Sequence, residues 1–297
     1  MKQASSRLRL IGAVVLFGTI GVFRRYIPLP SGLLSMARGL IGAAFLLLLM
    51  CARRQRPDGS AIRANLLPLL LSGTFIGFNW ILLFEAYRYT TVATATMCYY
   101  MEPIFVLLAA PLLLHERLTV RRLCCVAAAL AGMVLVSGVL SAGFTGLAEL
   151  KGVLLGLGAA VLYAGDIILN KTVHDITTYD RTVVQLATAG AVLIPYTLLA
   201  EHTDGPVTLP AIALVLVLGI VHTGIAYALY FGGLADLPAQ TVALLSYLDP
   251  IVAVLLSVFL LREESDPLKL VGAVLVLCAA AVSELPEKPR RIRKRIR

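Results

Sequence analysis

The chain has 297 residues, 59% of them hydrophobic and 14% charged, with a mean hydropathy of +0.87. A soluble globular domain carries about 25% charged residues, so this composition describes a protein of the bilayer. The net charge of +9 sits in short basic clusters between apolar runs, which excludes a nucleic-acid surface and leaves the lipid bilayer as the first partner.

A spanning helix needs about 20 mostly apolar residues, and ten stretches qualify: 8–27, 32–52, 64–87, 91–113, 121–141, 150–171, 181–200, 209–232, 238–261 and 267–285. The first begins KQASSRLRLIGAVVLFG, with the basic start of a signal peptide. No small-residue cleavage site follows and many apolar runs do, so it is read as a retained span. No run alternates as a membrane strand does, which excludes a β-barrel. Cys51, Cys98, Cys124, Cys125 and Cys278 show neither CxxC nor metal-ligand spacing and read as small packing residues.

With the N-terminus inside, the loops and tails on that side hold 19 Lys and Arg, against 6 on the other; Arg38 lies within a span. The positive-inside rule then expects both termini in the cytoplasm of a bacterial-type inner membrane. The basic tail 286–297 is read as a topology anchor that also meets anionic headgroups.

A shift of 147 positions lays the chain on itself. Gly77 falls on Gly224, Thr94 on Thr241, Tyr100 on Tyr247, and Glu116 on Glu263; Glu102-Pro103-Ile104 falls on Asp249-Pro250-Ile251. The repeating units are 8–141 and 150–285, each with five spans, and an odd number inserts the second copy upside down. Inverted repeats are the architecture of secondary transporters, with substrate bound near the midplane. The expected fold is therefore all-α, ten transmembrane helices as two inverted five-helix repeats, with one half rocking against the other.

The stretch PIFVLLAAPLLLHERLTVRRLCCVAAALAGMVLV, its counterpart PIVAVLLSVFLLREESDPLKLVGAVLVLCAAAVS, and Arg38 in SMARGLIGAAFLLLL carry a resemblance to the EamA family of the drug/metabolite transporter superfamily. It covers essentially the whole chain. The resemblance implies a 5+5 inverted repeat, no nucleotide site, a cavity lined by spans 1, 3, 4, 6, 8 and 9, and export of amino acids, related metabolites or drugs. It does not require an acid before the proline, so Glu102 and Asp249 are candidates for this chain's own specificity.

Charges deep in a span are costly and therefore functional candidates. Glu102 lies about 16 Å into its helix at 1.5 Å per residue, and Asp249 at the equivalent depth. Pro103 and Pro250 are expected to kink the helix and free a carbonyl beside each acid. Arg38 is read as a gating residue or ion-pair partner of one of the acids, the alternative being a contact to a substrate carboxylate. Asp166, with Tyr163 one turn away, is placed in the same gating or pore-lining class. His222 is either an interhelical hydrogen-bonding group or a proton relay. Asn79, Trp80, Tyr99, Tyr100, Tyr163, Tyr227, Tyr230 and Tyr247 cluster at span centres, where a polar aromatic suits a wet cavity better than lipid.

The expected function is secondary transport, export of small polar, amine-bearing metabolites with protons as the candidate coupling ion. A lipid flippase or an integral membrane enzyme is the alternative. No GxxxxGK loop, HExxH or close histidine pair occurs, so no cofactor, metal or catalytic residue is expected.

Overall fold

The computed structural model describes residues 2–113, 120–136, 146–170, 172–202, 207–234, 237, 245–246, 248–263 and 266–285. All regular structure among them is helical. Six helices are long and apolar enough to cross a membrane: Ala4–Arg25, Ser31–Ala52, Leu66–Tyr89, Leu147–Asn170, Thr178–Ala200 and Leu209–Tyr230. Shorter apolar helices accompany them. The basic tail and Tyr247 lie outside the described residues.

In chain order, α1 is Lys2–Arg25, α2 Ser31–Ala52, α3 Gly59–Ala64, α4 Leu66–Tyr89, α5 Val92–Tyr99, α6 Glu102–Leu113, α7 Val120–Val136 and α8 Leu147–Asn170. Then follow α9 Thr178–Val192, α10 Ile194–Ala200, α11 Leu209–Val217, a π-helical segment Leu218–Ile225, α12 Ala226–Leu234, α13 Leu248–Phe259 and α14 Pro267–Glu284. The short α3 was not anticipated. Asp58 caps it by accepting from Ser60 N at 2.9 Å and Ala61 N at 3.1 Å. The Ser60 hydroxyl, donating to the same oxygen at 2.6 Å, and these two amides hold the Asp58 carboxyl below the usual carboxylate range.

Two anticipated continuous spans are broken by proline. Pro103 has no N–H to reach the carbonyl of Tyr99, so the helix stops at Tyr99 and α6 starts afresh at Glu102. Pro195 likewise separates α9 from α10 at Leu193. Pro103 stands in the first turn of α6, where a missing N–H costs nothing, and it starts a helix where a kink inside a continuous one was expected. Pro250 lies in α13, and the residue before that helix, Tyr247, is outside the described residues.

The outward faces carry large apolar side chains, Leu48 at 69% and Leu199 at 82% exposure among them. Contacts between helices fall to small residues. A Cβ on Gly39 would meet Gly190 N at 2.9 Å and Leu186 O at 3.0 Å, so α2 and α9 pack almost backbone to backbone. That is how membrane helices associate when lipid is as apolar as leucine.

The sequence halves are not two separate bodies. The first-half helix α4 runs along α8 and α9 of the second half, and α8 also takes α5 and α6. On the other side α1 runs along α12 and α13, and α2 packs on the π segment. One bundle is thus α4, α5, α6, α8 and α9; the other is α1, α2, the π segment, α12 and α13. The bundles are joined by the α2–α9, α5–α13 and α2–α4 contacts, and α7 packs on α14.

Candidate substrate site

A cavity of about 110 Å³ lies between the two bundles. The first bundle contributes Trp80, Tyr99, Tyr100 and Tyr163 to its wall, and the second Phe17, Arg38, Tyr227 and Asp249. Each arrives there for a local reason. The break after Tyr99 splays Tyr99 and Tyr100 at right angles to one another, with ring planes 85° apart. Tyr163 from α8 stacks on Tyr99, centroids 5.1 Å apart and planes 8° apart. Gly18 lets α1 close on α13, since a Cβ there would sit 2.7 Å from Asp249 O.

Two opposite charges face this space without touching. The Tyr100 hydroxyl donates to Asp249 Oδ2 across the boundary between the bundles. Arg38 is only 4% exposed. Its Nε donates to Thr223 Oγ1 at 2.7 Å, and its guanidinium lies over the Trp80 ring at 4.2 Å and near Phe84 at 5.8 Å. Thr223 is set by the π segment, its hydroxyl donating to Leu218 O five residues back at 3.0 Å. Wide turns of this kind recur at functional sites.

Several sequence candidates are placed elsewhere. Asn79 stands behind the wall, donating to the Tyr99 hydroxyl at 3.4 Å while its buried Oδ1 has no partner. Glu102 is buried but is not part of the wall. His222 bridges helices, Nε2 lying 2.8 Å from Thr19 Oγ1 and its ring 4.6 Å from Phe23. Tyr230 packs on the far side of Phe17. Asp166 lies deeper toward the face that bears Arg53 and Arg63. Ser72 donates to its Oδ1, as does Asn170 Nδ2 at 2.8 Å, and Gln185 Nε2 joins Ser72 at 2.5 Å to Asn170 at 2.8 Å. Neither Arg38 nor Asp166 forms an ion pair among the described residues. The ion-pair reading of both gives way to hydrogen bonds with neutral partners.

Wall residues that were missed are Tyr87, Thr96 and the α1 stretch around Phe17. Tyr87, in AYRY, reads as an interfacial aromatic, and Phe17 as one apolar residue among many. Span 2 also joins the wall, through Arg38.

The face opposite the basic one is tied shut. Arg25 pairs with Glu263 at 2.5 Å and donates to Thr90 O at 3.2 Å; Glu263 Oε2 accepts from Val92 N at 2.9 Å and from Ser257. The Glu201 carboxylate caps α2, accepting from Gly32 N at 2.8 Å and Leu33 N at 2.7 Å. A recess of about 800 Å³ opens near Glu201. Its charged side chains are already engaged: Arg88 pairs with Glu85 at 3.0 Å, Glu201 caps α2, and Arg24 donates to Ile27 O at 2.8 Å and Ser31 Oγ at 3.2 Å. It reads as a vestibule, and the smaller cavity remains the candidate site.

The EamA-like transporter family matches residues 6–138 and 150–284. An uncharacterized transporter, YxxF, of Bacillus subtilis (strain 168) is 28% identical over 284 residues, 95% of this chain and 90% of that protein. Protein PecM of Dickeya dadantii (strain 3937) is 27% identical over 267 residues, 89% of this chain and 86% of that one. A solved crystal structure superposes with a TM-score of 0.65 at 24% identity, covering 94% of this chain and 96% of that chain. That last likeness concerns fold alone.

Proposed function

Since the chain belongs to the EamA-like transporter family, we propose that it is a secondary active exporter of small, amine-bearing polar metabolites such as amino acids, coupled to protons. The observation that carries the reading is Asp249, an acid on the wall of a cavity between the bundles, tied by Tyr100 to the opposite bundle. A carboxylate in that position can exchange a proton for a substrate ammonium group, a simple antiport step.

The architecture proposed is ten spans in two inverted repeats, within a bacterial-type inner membrane and with cytoplasmic termini. Two features support the repeat: the family matches twice along the chain, and a 147-residue shift carries packing pairs onto packing pairs. It turns α4–α8 into α12–α1 and α6–α8 into α13–α1. The clasp of Arg25 and Glu263 then closes the outer side, and transport alternates with its opening.

The test is reconstitution into proteoliposomes with an imposed pH gradient and a panel of radiolabelled amino acids and amines. The expected result is gradient-driven flux of at least one amine-bearing compound, reduced at least tenfold by Trp80→Ala at unchanged folded yield. Absence of flux across the panel, together with scrambling of fluorescent lipids, would replace this reading with the flippase alternative.

A further inference from the structure

Arg38 is a buried cation without a counter-ion. Among the described residues no carboxylate lies within ion-pairing distance of it, and one of its five N–H donors is used, by Thr223 at 2.7 Å. A guanidinium 4% exposed and held by one neutral hydroxyl is far from compensated. Leaving such a charge unpaired in a poorly hydrated space is expensive. The Trp80 ring, its centroid 4.2 Å from Cζ, offsets part of that cost. Held over the ring and pinned through Nε, the guanidinium has no hydrogen bond on its two terminal nitrogens among the described residues, and Arg38 lies on the cavity wall. That is the arrangement in which arginine takes a carboxylate through two parallel hydrogen bonds.

We infer that Arg38 is the anion subsite of the transport cavity, and that the substrate is a zwitterion whose carboxylate docks on Arg38 while its ammonium group faces Asp249. The inference rests on the transport reading above and narrows it. The acid alone fits any amine, whereas the guanidinium and the acid on one wall require both charges in one small molecule. The cavity of about 110 Å³ suits a compound of amino-acid size. Thr223 is the positioning residue: its hydroxyl, set by the π segment, holds Nε at 2.7 Å.

The experiment compares amino acids with their carboxamides on purified full-length protein. Thermal-shift titration is run with the twenty proteinogenic amino acids, the matching amino-acid amides, and sodium chloride against sodium gluconate. The expected result is stabilisation by one or more amino acids and at least tenfold weaker binding of the corresponding amides. Arg38→Gln should weaken the amino acid about 10- to 100-fold, as loss of a charge-assisted pair does, and Arg38→Lys should recover part of that loss. Should Arg38→Gln fail to fold, the acid-against-amide comparison in the unaltered protein decides. Equal binding of acids and amides, binding of neither, or stabilisation by chloride alone would overturn the inference. The broader reading fails separately, when amino acids bind but no compound crosses proteoliposomes.

Discussion

Tyr100 and Asp249 meet across the bundle boundary, and their contact has to break each time the boundary opens. If Asp249 carries the exchanged proton, Asp249→Asn should abolish the dependence of flux on the pH gradient while leaving folded protein in the membrane. Glu102, absent from the cavity wall, gives the contrast: Glu102→Gln should keep that dependence. Flux assays in matched proteoliposomes check both, and pH-dependent flux in the Asp249 variant would remove this acid from the coupling step. The two acids look alike in sequence because each precedes a proline at the same place in its repeat. Their surroundings differ: Glu102 is buried but off the cavity wall, while Gly18 lets α1 close on Asp249. Polar aromatics were legible as a group, since tyrosine at mid-span has few other uses. The pairing of Arg38 was not: its partner Thr223 is set by a π turn, and no residue pattern announces one.

At the scale of helices, the outer clasp is the element most open to a single change. The Glu263 carboxylate serves Arg25, Val92 N and Ser257 together, so it ties the end of α13 and the start of α1's loop to the N-terminus of α5. The ion pair itself adds about 1 kcal/mol or less, with Arg25 36% exposed. The bond to the buried Val92 amide adds about 1.5–3 kcal/mol, as charge-assisted bonds do. Glu263→Ala should therefore move the resting population toward the outward-open form by at least tenfold. With Ala253→Cys on the cavity wall in a cysteine-free background, labelling by an impermeant maleimide should accelerate by that factor. An unchanged rate would mean that the clasp holds no gate. The six long helices were legible from hydropathy, and the interruptions at Tyr100 and Leu193 were not. Both breaks follow from prolines that the sequence shows plainly, but a proline alone does not distinguish a kink from a new helix.

For the molecule as a whole, orientation rests on charge and architecture together. The basic cluster at Arg53–Arg63 stands at one end of the spans, and Arg25, Glu85, Glu201 and Glu263 gather at the other. A cluster of arginines is retained on the cytoplasmic side during insertion, so the clasp and the vestibule near Glu201 should face outward. Which helices pair was not legible from the sequence, because lipid-facing and protein-facing residues are equally apolar; glycines such as Gly39 mark close contact without naming the partner. The orientation has a direct check. In a cysteine-free background, Val207→Cys, 43% exposed beside the vestibule, should react with an impermeant maleimide on intact cells. Arg56→Cys, exposed on the basic face, should react only after lysis. Both sites lie outside the spans and away from the cavity, so neither substitution should disturb folding. The reverse labelling pattern would put the clasp in the cytoplasm, and the closed side of this structure would then be the inner one.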